Sequence, residues 1–293
     1  MGAGLCRSTG PTSKADLEDR SCGRRSDLFP ATMFREWSYQ GVNDAATPGD
    51  DEAAQSPKAQ LAESMAIVGA FAFGANDCCS SDPDKYNVVA EFPGIARLVE
   101  MKLQPGAADK PHNHPVHSTF VVAGGTLRIT GADGVSNDME LPTGAPPIMP
   151  AGVHQVTNVG STEVHIIFVE PAVGIAPVKP LVGFVSPFGA SPEAYTKLAE
   201  DDHWITGKMH LAAKCGDAPH SHNDHFIYVL EGEALAVSAI PDIDRPDDFA
   251  EPNRVPLAIG MAAPIPAGHH LCMNPKDEQI TIIFFERKEA GDL

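Results

Sequence analysis

Basic side chains are scarce in this sequence: 21 lysines and arginines face 39 aspartates and glutamates, giving a formal charge of −18. A chain this acidic opposes nucleic acid and anionic membrane surfaces, where basic patches are the rule. Long apolar runs are missing too. The one clear run, Met65-Ala66-Ile67-Val68-Gly69-Ala70-Phe71-Ala72-Phe73, is far short of the ~20 residues that cross a bilayer, so no membrane span is expected. It also lies too far from Met1 for an ordinary secretory signal. A strand or helix packed on the first domain is its expected role.

Cysteine is used sparingly, at Cys6, Cys22, Cys78, Cys79, Cys215 and Cys272, with no Cys-x-x-Cys knuckle. A chain of 293 residues needs no disulfide framework, so a reducing compartment and a cytoplasmic location are expected. Cys215 and Cys272 read as small buried hydrophobes, or as part of a site's mouth. From Met1 to Lys58 no hydrophobic period is sustained, and segments such as Thr47-Pro48-Gly49-Asp50-Asp51-Glu52 prevail. Residues 1–58 are therefore expected to form a disordered tail. Met1-Gly2-Ala3-Gly4-Leu5-Cys6 lacks the Ser or Thr of a myristoylation start, and Asp16, Glu18 and Asp19 oppose a transit peptide. Lipidation and organelle targeting are thus only weakly signalled.

What the chain does have is histidine in a pattern. Pro219-His220-Ser221-His222-Asn223-Asp224-His225 runs into Phe226-Ile227-Tyr228-Val229-Leu230-Glu231-Gly232. Residues two apart in a strand share a face, so His220 and His222 aim their imidazoles together while His225 heads the next strand. Convergent imidazoles suit Zn, Cu, Fe or Ni. The pattern occurs twice: Pro111-His112-Asn113-His114-Pro115-Val116-His117 precedes an apolar strand 108 positions earlier. Further on, Pro150-Ala151-Gly152-Val153-His154 matches Pro266-Ala267-Gly268-His269-His270, and Val164–Glu170 matches Ile280–Glu286 at a shift of 116. The second copy thus carries an eight-residue insertion near Ile240–Arg254, where Asp242, Asp244, Asp247, Asp248 and Glu251 read as a solvated acidic loop. A repeat of this length is a duplicated domain.

Turn-bounded short strands, such as Tyr86–Glu91 and Ala96–Leu103 around Phe92-Pro93-Gly94, predict an all-β chain of jelly-roll type. The expected plan is module one over 59–172, a Pro/Gly-rich linker over 173–190 and module two over 191–293.

On these residues the chain resembles the cupin superfamily, in its two-module form. The usual first motif, G-x5-H-x-H-x3,4-E-x6-G, is matched at its start by Gly106, His112 and His114. The second, G-x5-P-x-G-x2-H-x3-N, is matched by Gly144, Pro150, Gly152, His154 and Asn158, and again by Gly260, Pro266, Gly268, His270 and Asn274. Both copies have one residue, not two, before the second-motif histidine. Both place His117 or His225 where the glutamate belongs, and Lys214 replaces the second copy's opening glycine.

The resemblance implies two tandem jelly-roll barrels and a metal in each. Its ligands would be His112, His114 and His154, and His220, His222 and His270, with His117 and His225 as fourth ligands or orienting groups. Fe(II) is the expected ion, with Zn, Mn, Ni or Cu as alternatives. Neutral imidazole ligands leave the ion its full charge, which favours an anionic oxygen ligand such as an enolate, catecholate or carboxylate. The implied function is a mononuclear metal dioxygenase acting on a small oxygen-rich molecule. A lyase or isomerase, or a non-catalytic binding or storage barrel, are the alternatives, and association into a homo-oligomer stays open. His225 and Tyr228 are the catalytic candidates. Because Phe120 stands where Tyr228 does, a role for Tyr228 would make module two the reactive one. His269 is expected to face solvent or support the site, and His165 to be an ordinary barrel histidine.

Overall fold

The computed structural model describes residues 76–175, 178 and 181–288. The expected tail and the apolar run at Met65–Phe73 lie outside them. With strands numbered in chain order, module one begins with a helical turn, α1 (Cys78–Ser81), and then forms two sheets. One sheet has the order β1 (Tyr86–Phe92), β2 (Ala96–Leu103), β9 (Val164–Pro171), β4 (His117–Ala123), β7 (Ile148–Met149). The other runs β3 (His112–His114), β8 (Gly152–Asn158), β5 (Gly125–Gly131), β6 (Ser136–Leu141).

Module two repeats this plan after the turn α2 (Pro187–Ala190). Its five-stranded sheet is β10 (Tyr195–Glu200), β11 (Trp204–Leu211), β18 (Ile280–Arg287), β13 (His225–Glu231), β16 (Ala262–Ile265). Its four-stranded sheet is β12 (His220–His222), β17 (Gly268–Met273), β14 (Ala234–Ala239), β15 (Asn253–Pro256). All strand pairs in both modules are antiparallel. The eight-residue insertion falls between β14 and β15, at a loop, as the repeat arithmetic requires.

The two five-stranded sheets face each other, and this explains a feature of the sequence. A half-buried strand should alternate apolar and polar residues, yet β9 and β18 are nearly all apolar. In β9, Val164, Ile166 and Phe168 fill the interior of barrel one, while Ile167 and Val169 turn outward. In β18, Ile280, Ile282 and Phe284 fill barrel two, while Ile283 and Phe285 turn outward. The outward set meets Leu98 and Phe120 from one module and Trp204, Phe226 and Tyr228 from the other in a single core between the barrels. Each fully buried side chain of this size contributes roughly 1.5–3 kcal/mol, so this shared core holds the two modules together.

Lys214 shows how the second copy does without its glycine. Gly106 turns the chain with φ +75° and Lys214 does so with φ +58°. The left-handed turn is kept although its residue is not, at a strain of about 1–2 kcal/mol.

Candidate metal centres

Strand geometry builds the two centres. His112 and His114 are alternate residues of β3, and His154 stands directly opposite His112 on β8. His220 and His222 on β12 face His270 on β17 in the same register. Among the described residues, the ligand atoms of each trio lie within 4.8 Å of one another. In the first trio the Nε2 atoms of His112 and His114 are 2.7 Å apart.

The other ring nitrogen fixes the chemistry of that contact. His112 Nδ1–H donates to the Lys110 carbonyl at 2.7 Å, and His220 Nδ1–H to the Ala218 carbonyl at 2.8 Å. His114 Nδ1–H donates to Glu170, and His222 Nδ1–H to Glu286 at 3.0 Å. With Nδ1 carrying the proton, each Nε2 presents a bare lone pair to the centre of the barrel. Two lone pairs 2.7 Å apart repel unless a cation lies near both, and imidazole is a first-rank ligand for divalent transition metals. The donor set therefore fits a divalent metal in each barrel. A carboxylate behind a ligating imidazole also raises its basicity and holds its orientation.

Burial acts in the same direction. It pushes His154 down to about 3, helped by His114 and His112. It lowers His112, and takes His222 and His270 well below the usual imidazole range. Neutral rings are what a metal needs.

His117 and His225 stand one ring further out. His117 packs at a tilt against His114, 4.6 Å between ring centres, and His225 does the same against His222 at 4.5 Å. Their Nδ1–H groups donate to the Pro115 and Asn223 carbonyls at 2.9 and 2.8 Å, so their Nε2 atoms are acceptors as well. Burial, then the neighbouring histidine, pushes His117 to about 4 and His225 to about 3.

Tyr228 does not join this group, and its expected catalytic placement is corrected. It lies three residues after His225, and an odd spacing in a strand points to the opposite face. Its hydroxyl donates to Glu100 at 3.1 Å, beside His165 at 3.3 Å, in the contact between modules. The inference that Tyr228 marks module two as reactive falls with it. His165 is thus an inter-module histidine, 2.8 Å from Glu100, and His269 pairs with Ser221 Oγ at 2.7 Å outside the trio.

Other residues at the centres lie outside the two motifs. Tyr86 donates to Asp109 at 2.5 Å with its oxygen 3.4 Å from His112 Nε2; Tyr195 donates to Asp217 at 2.8 Å, 3.3 Å from His220 Nε2. Burial, then the adjacent aspartate, holds both phenols well above their usual range. The repeat carried the signal, since Tyr86-Asn87-Val88-Val89-Ala90-Glu91 aligns with Tyr195-Thr196-Lys197-Leu198-Ala199-Glu200. Glu170 and Glu286 also replace some of the acidity that the motif's missing glutamate takes away, although each is buried behind a histidine. The motif asparagines are structural: Asn158 donates to the carbonyls of Leu103 and Thr162, both at 2.8 Å, and Asn274 to that of Glu278 at 2.7 Å.

Barrel one opens into a cavity of about 50 Å³ beside His114, His117 and His154, walled by Met101, Leu127, Phe168 and other apolar residues. Thr119, two residues after His117 and so on the same face, lines it. Its Oγ1 is buried without a hydrogen-bond partner. At the equivalent place in module two stands Ile227.

Residues 99–170 match the family described as Cupin domain. No curated protein matches the chain. Among solved structures, AerE from Microcystis aeruginosa is 15% identical over 66% of this chain and 88% of its own, with a TM-score of 0.45. An oxalate decarboxylase from Bacillus subtilis is 12% identical over 67% and 69%, at 0.48. A cupin 2 conserved barrel domain protein from Leptotrichia buccalis is 13% identical over 69% and 88%, at 0.42. No helix among the described residues is long and apolar enough to cross a membrane. The family match thus falls on the first module, residues 99–170, and the second module repeats its strand order and its trio of imidazoles.

Proposed function

We propose that the protein is a metal-dependent dioxygenase for a small, oxygen-rich, anionic substrate, and that module one is its reactive barrel. The observation that carries the reading is the cavity beside His114, His117 and His154, which Thr119 helps to line. The Thr119 Oγ1 is buried and unpaired, at a cost of about 1–3 kcal/mol, and a rotation about its Cα–Cβ bond would offer it to a substrate oxygen in the cavity. When bound, an ion such as Fe(II) supplies a doubly charged, redox-active Lewis acid, held by His112, His114 and His154.

The remaining work belongs to the chain. Glu170 orients His114, and the Lys110 carbonyl orients His112. His117 offers a neutral Nε2 acceptor to a protonated substrate oxygen. The wall is apolar, and the 50 Å³ cavity is several times the ~10–15 Å³ that one water needs on the same measure, so a small substrate group has room beside the histidines. Neutral ligands favour an anion, because nothing in the donor set offsets the ion's charge.

An oxygen electrode tests this with Fe(II)-loaded protein and a panel of enolates, catecholates and hydroxycarboxylates. Oxygen uptake matched to substrate loss is expected. Thr119→Val should lower kcat/KM about 10-fold, the worth of one hydrogen bond, with bound metal unchanged. Substrate loss at the same rate without oxygen would place the chain with lyases or isomerases instead. Ligand binding without turnover would make it a binding barrel.

A further inference from the structure

The helical turns α1 and α2 occupy equivalent places, ahead of the first strand of each module. In module two the place is filled with carbon: Pro187 is buried, and the Phe188 ring stacks on Phe284 at 6.0 Å between centres. The fold can therefore close here without polar or sulfur atoms. Module one has Asp77, Cys78 and Cys79 instead. Cys78 is fully buried, Cys79 is half-buried, and their Sγ atoms are 3.7 Å apart. The two sulfurs and an Asp77 oxygen lie within 4.8 Å of one another. Cys78 also lies that close to ligand atoms of Glu170 and His114, so the cluster backs onto the first metal centre.

Two thiols in van der Waals contact sit at this separation, so distance alone decides nothing. Yet it is also the span that a tetrahedral ion demands, since bonds of ~2.3 Å to each sulfur put them about 3.8 Å apart. Direction adds to the case. Neighbouring residues on a helical turn do not normally face each other, and these two sulfurs converge. The Asp77 and Glu170 carboxylates flank the pair, with the Arg97 guanidinium between them at 4.0 Å from Cys78 Sγ, so an ion that binds here displaces Arg97 from Asp77.

Disulfide formation fits less well. The sulfurs would have to close to ~2.05 Å across one peptide, inside a turn pinned by Ser81 N–H to Asp77 O and Asp82 N–H to Cys78 O, both 2.9 Å. Burial, and then the contact with Cys79, raises the Cys78 thiol far above its usual range, and a protonated thiol is a poor nucleophile. A thiophilic cation does not depend on prior ionisation, because coordination itself displaces the proton.

We propose that Asp77, Cys78 and Cys79 form a third ion site, separate from the histidine centres, for a thiophilic d10 cation of the zinc or cadmium kind. Both thiols bind as thiolates, so one M²⁺ enters as two protons leave, and the Asp77 carboxylate is the third protein donor. Arg97, which bridges Asp77 Oδ1 at 2.7 Å and Glu170 Oε2 at 2.7 Å, keeps Glu170 as its partner when Asp77 turns to the ion.

Titration of the full, reduced chain with Cd²⁺ tests the site through the ultraviolet sulfur-to-cadmium charge-transfer band, which imidazole does not give. The band should saturate at one bound Cd²⁺ per chain beyond those that the two histidine centres take up. Cys79→Ser, at the more exposed sulfur, should weaken that step by more than about 100-fold, beyond the range seen when only a ligand's supporting partner is lost. Cys272→Ser, in the core of module two, should leave it intact. A thermal midpoint on each variant shows that the barrels remain folded. The proposal is overturned if the parent gives no band at micromolar Cd²⁺, or if Cys79→Ser gives the parent's titration.

Discussion

The two modules hold the same carboxylate against the same histidine and surround it differently. Glu170 sits opposite Arg97 in the β2–β9 register, and Glu286 sits opposite Ile205 in the β11–β18 register. Burial pushes both carboxyls up. In module one the hydrogen bond from His114 and the charge of Arg97, at 2.7–2.8 Å, outweigh it, and Glu170 ends below its usual range. Glu286 has the Asn223 N–H at 2.7 Å but no guanidinium opposite, and rises to about 7. Duplication has thus kept the ligands and their orienting carbonyls while changing the charge behind them. Module one also replaces Ile227 with Thr119 and the Pro187-Phe188 plug with Cys78-Cys79. Module two in turn has Asn223-Asp224 where module one has Pro115-Val116, and His269 where it has Val153, so each barrel has acquired its own polar groups on one frame.

The most forceful way to break this comparison is to remove one trio at a time. His112, His114 and His154 changed together to alanine should cost one of the two ions held by histidine and reduce turnover more than 100-fold, since ligand loss exceeds the 10–100-fold loss of a supporting partner. The same change at His220, His222 and His270 should cost the other ion and leave most turnover. Metal analysis with steady-state rates reads both, and equal rates in the two variants would erase the asymmetry.

Arg97 comes next. Arg97→Leu leaves Asp77 and Glu170 buried without their cation, which should cost about 3–5 kcal/mol by urea unfolding. Ile205→Leu, at the matching place, should cost under ~1.5 kcal/mol. A small effect at Arg97 would mean that Glu170 simply takes a proton there, as Glu286 does.

Acidity should separate the two carboxyls in metal-free protein. Glu170 has a folded value below its unfolded one, so its contribution is present above the unfolded value and is lost as pH falls. Glu286, raised from 4.5 to about 7, contributes at low pH and loses that contribution as pH rises through 7. The histidines at about 3 to 4, His117, His154 and His225, lie below their unfolded value near 6.5. The unfolded chain takes up their protons first, so stability falls as pH drops from 6.5 toward 4. Urea midpoints across pH 4–8 should therefore decline on the acid side. Glu286→Gln should remove the opposing loss between 4.5 and 7, and an unchanged profile would contradict the assignment.

The smallest effect belongs to Lys214. Lys214→Gly relieves a left-handed lysine and should stabilise module two by up to about 1 kcal/mol, or a few degrees in Tm. Gly106→Lys should do the reverse in module one. A Tm drop in Lys214→Gly would show that its Nζ bond to the Pro275 carbonyl, 2.8 Å long, matters more than the turn.

Much of this was legible in the residues themselves. The repeat exposed both trios because the ligands lie on short strands whose alternation is a local property: His112 with His114, and His220 with His222, share a face whatever surrounds them. The same parity would have found Thr119 beside His117 and turned Tyr228 away from His225, had it been applied past the histidines. Arg97 and Glu170 carried no such signal. They lie 73 residues apart, and only pairing of β2 with β9 sets them side by side. Nor does the second copy, with Ile205 opposite Glu286, repeat the pair. Phe120, Ile167 and Phe285 read as apolar in sequence, but whether their face met water, a partner chain or the other barrel was open.

Strand periodicity and the spacing of histidines are short-range, so the sequence alone determined the all-β duplication and the trios. The opposing sheets, the buried Arg97–Glu170 pair, the unpartnered hydroxyl of Thr119 and the meeting of two sulfurs above the first barrel were decided by the tertiary structure. Each of these depends on which distant backbone lies across from a side chain, and so on the closure of the sheets, which no local pattern encodes.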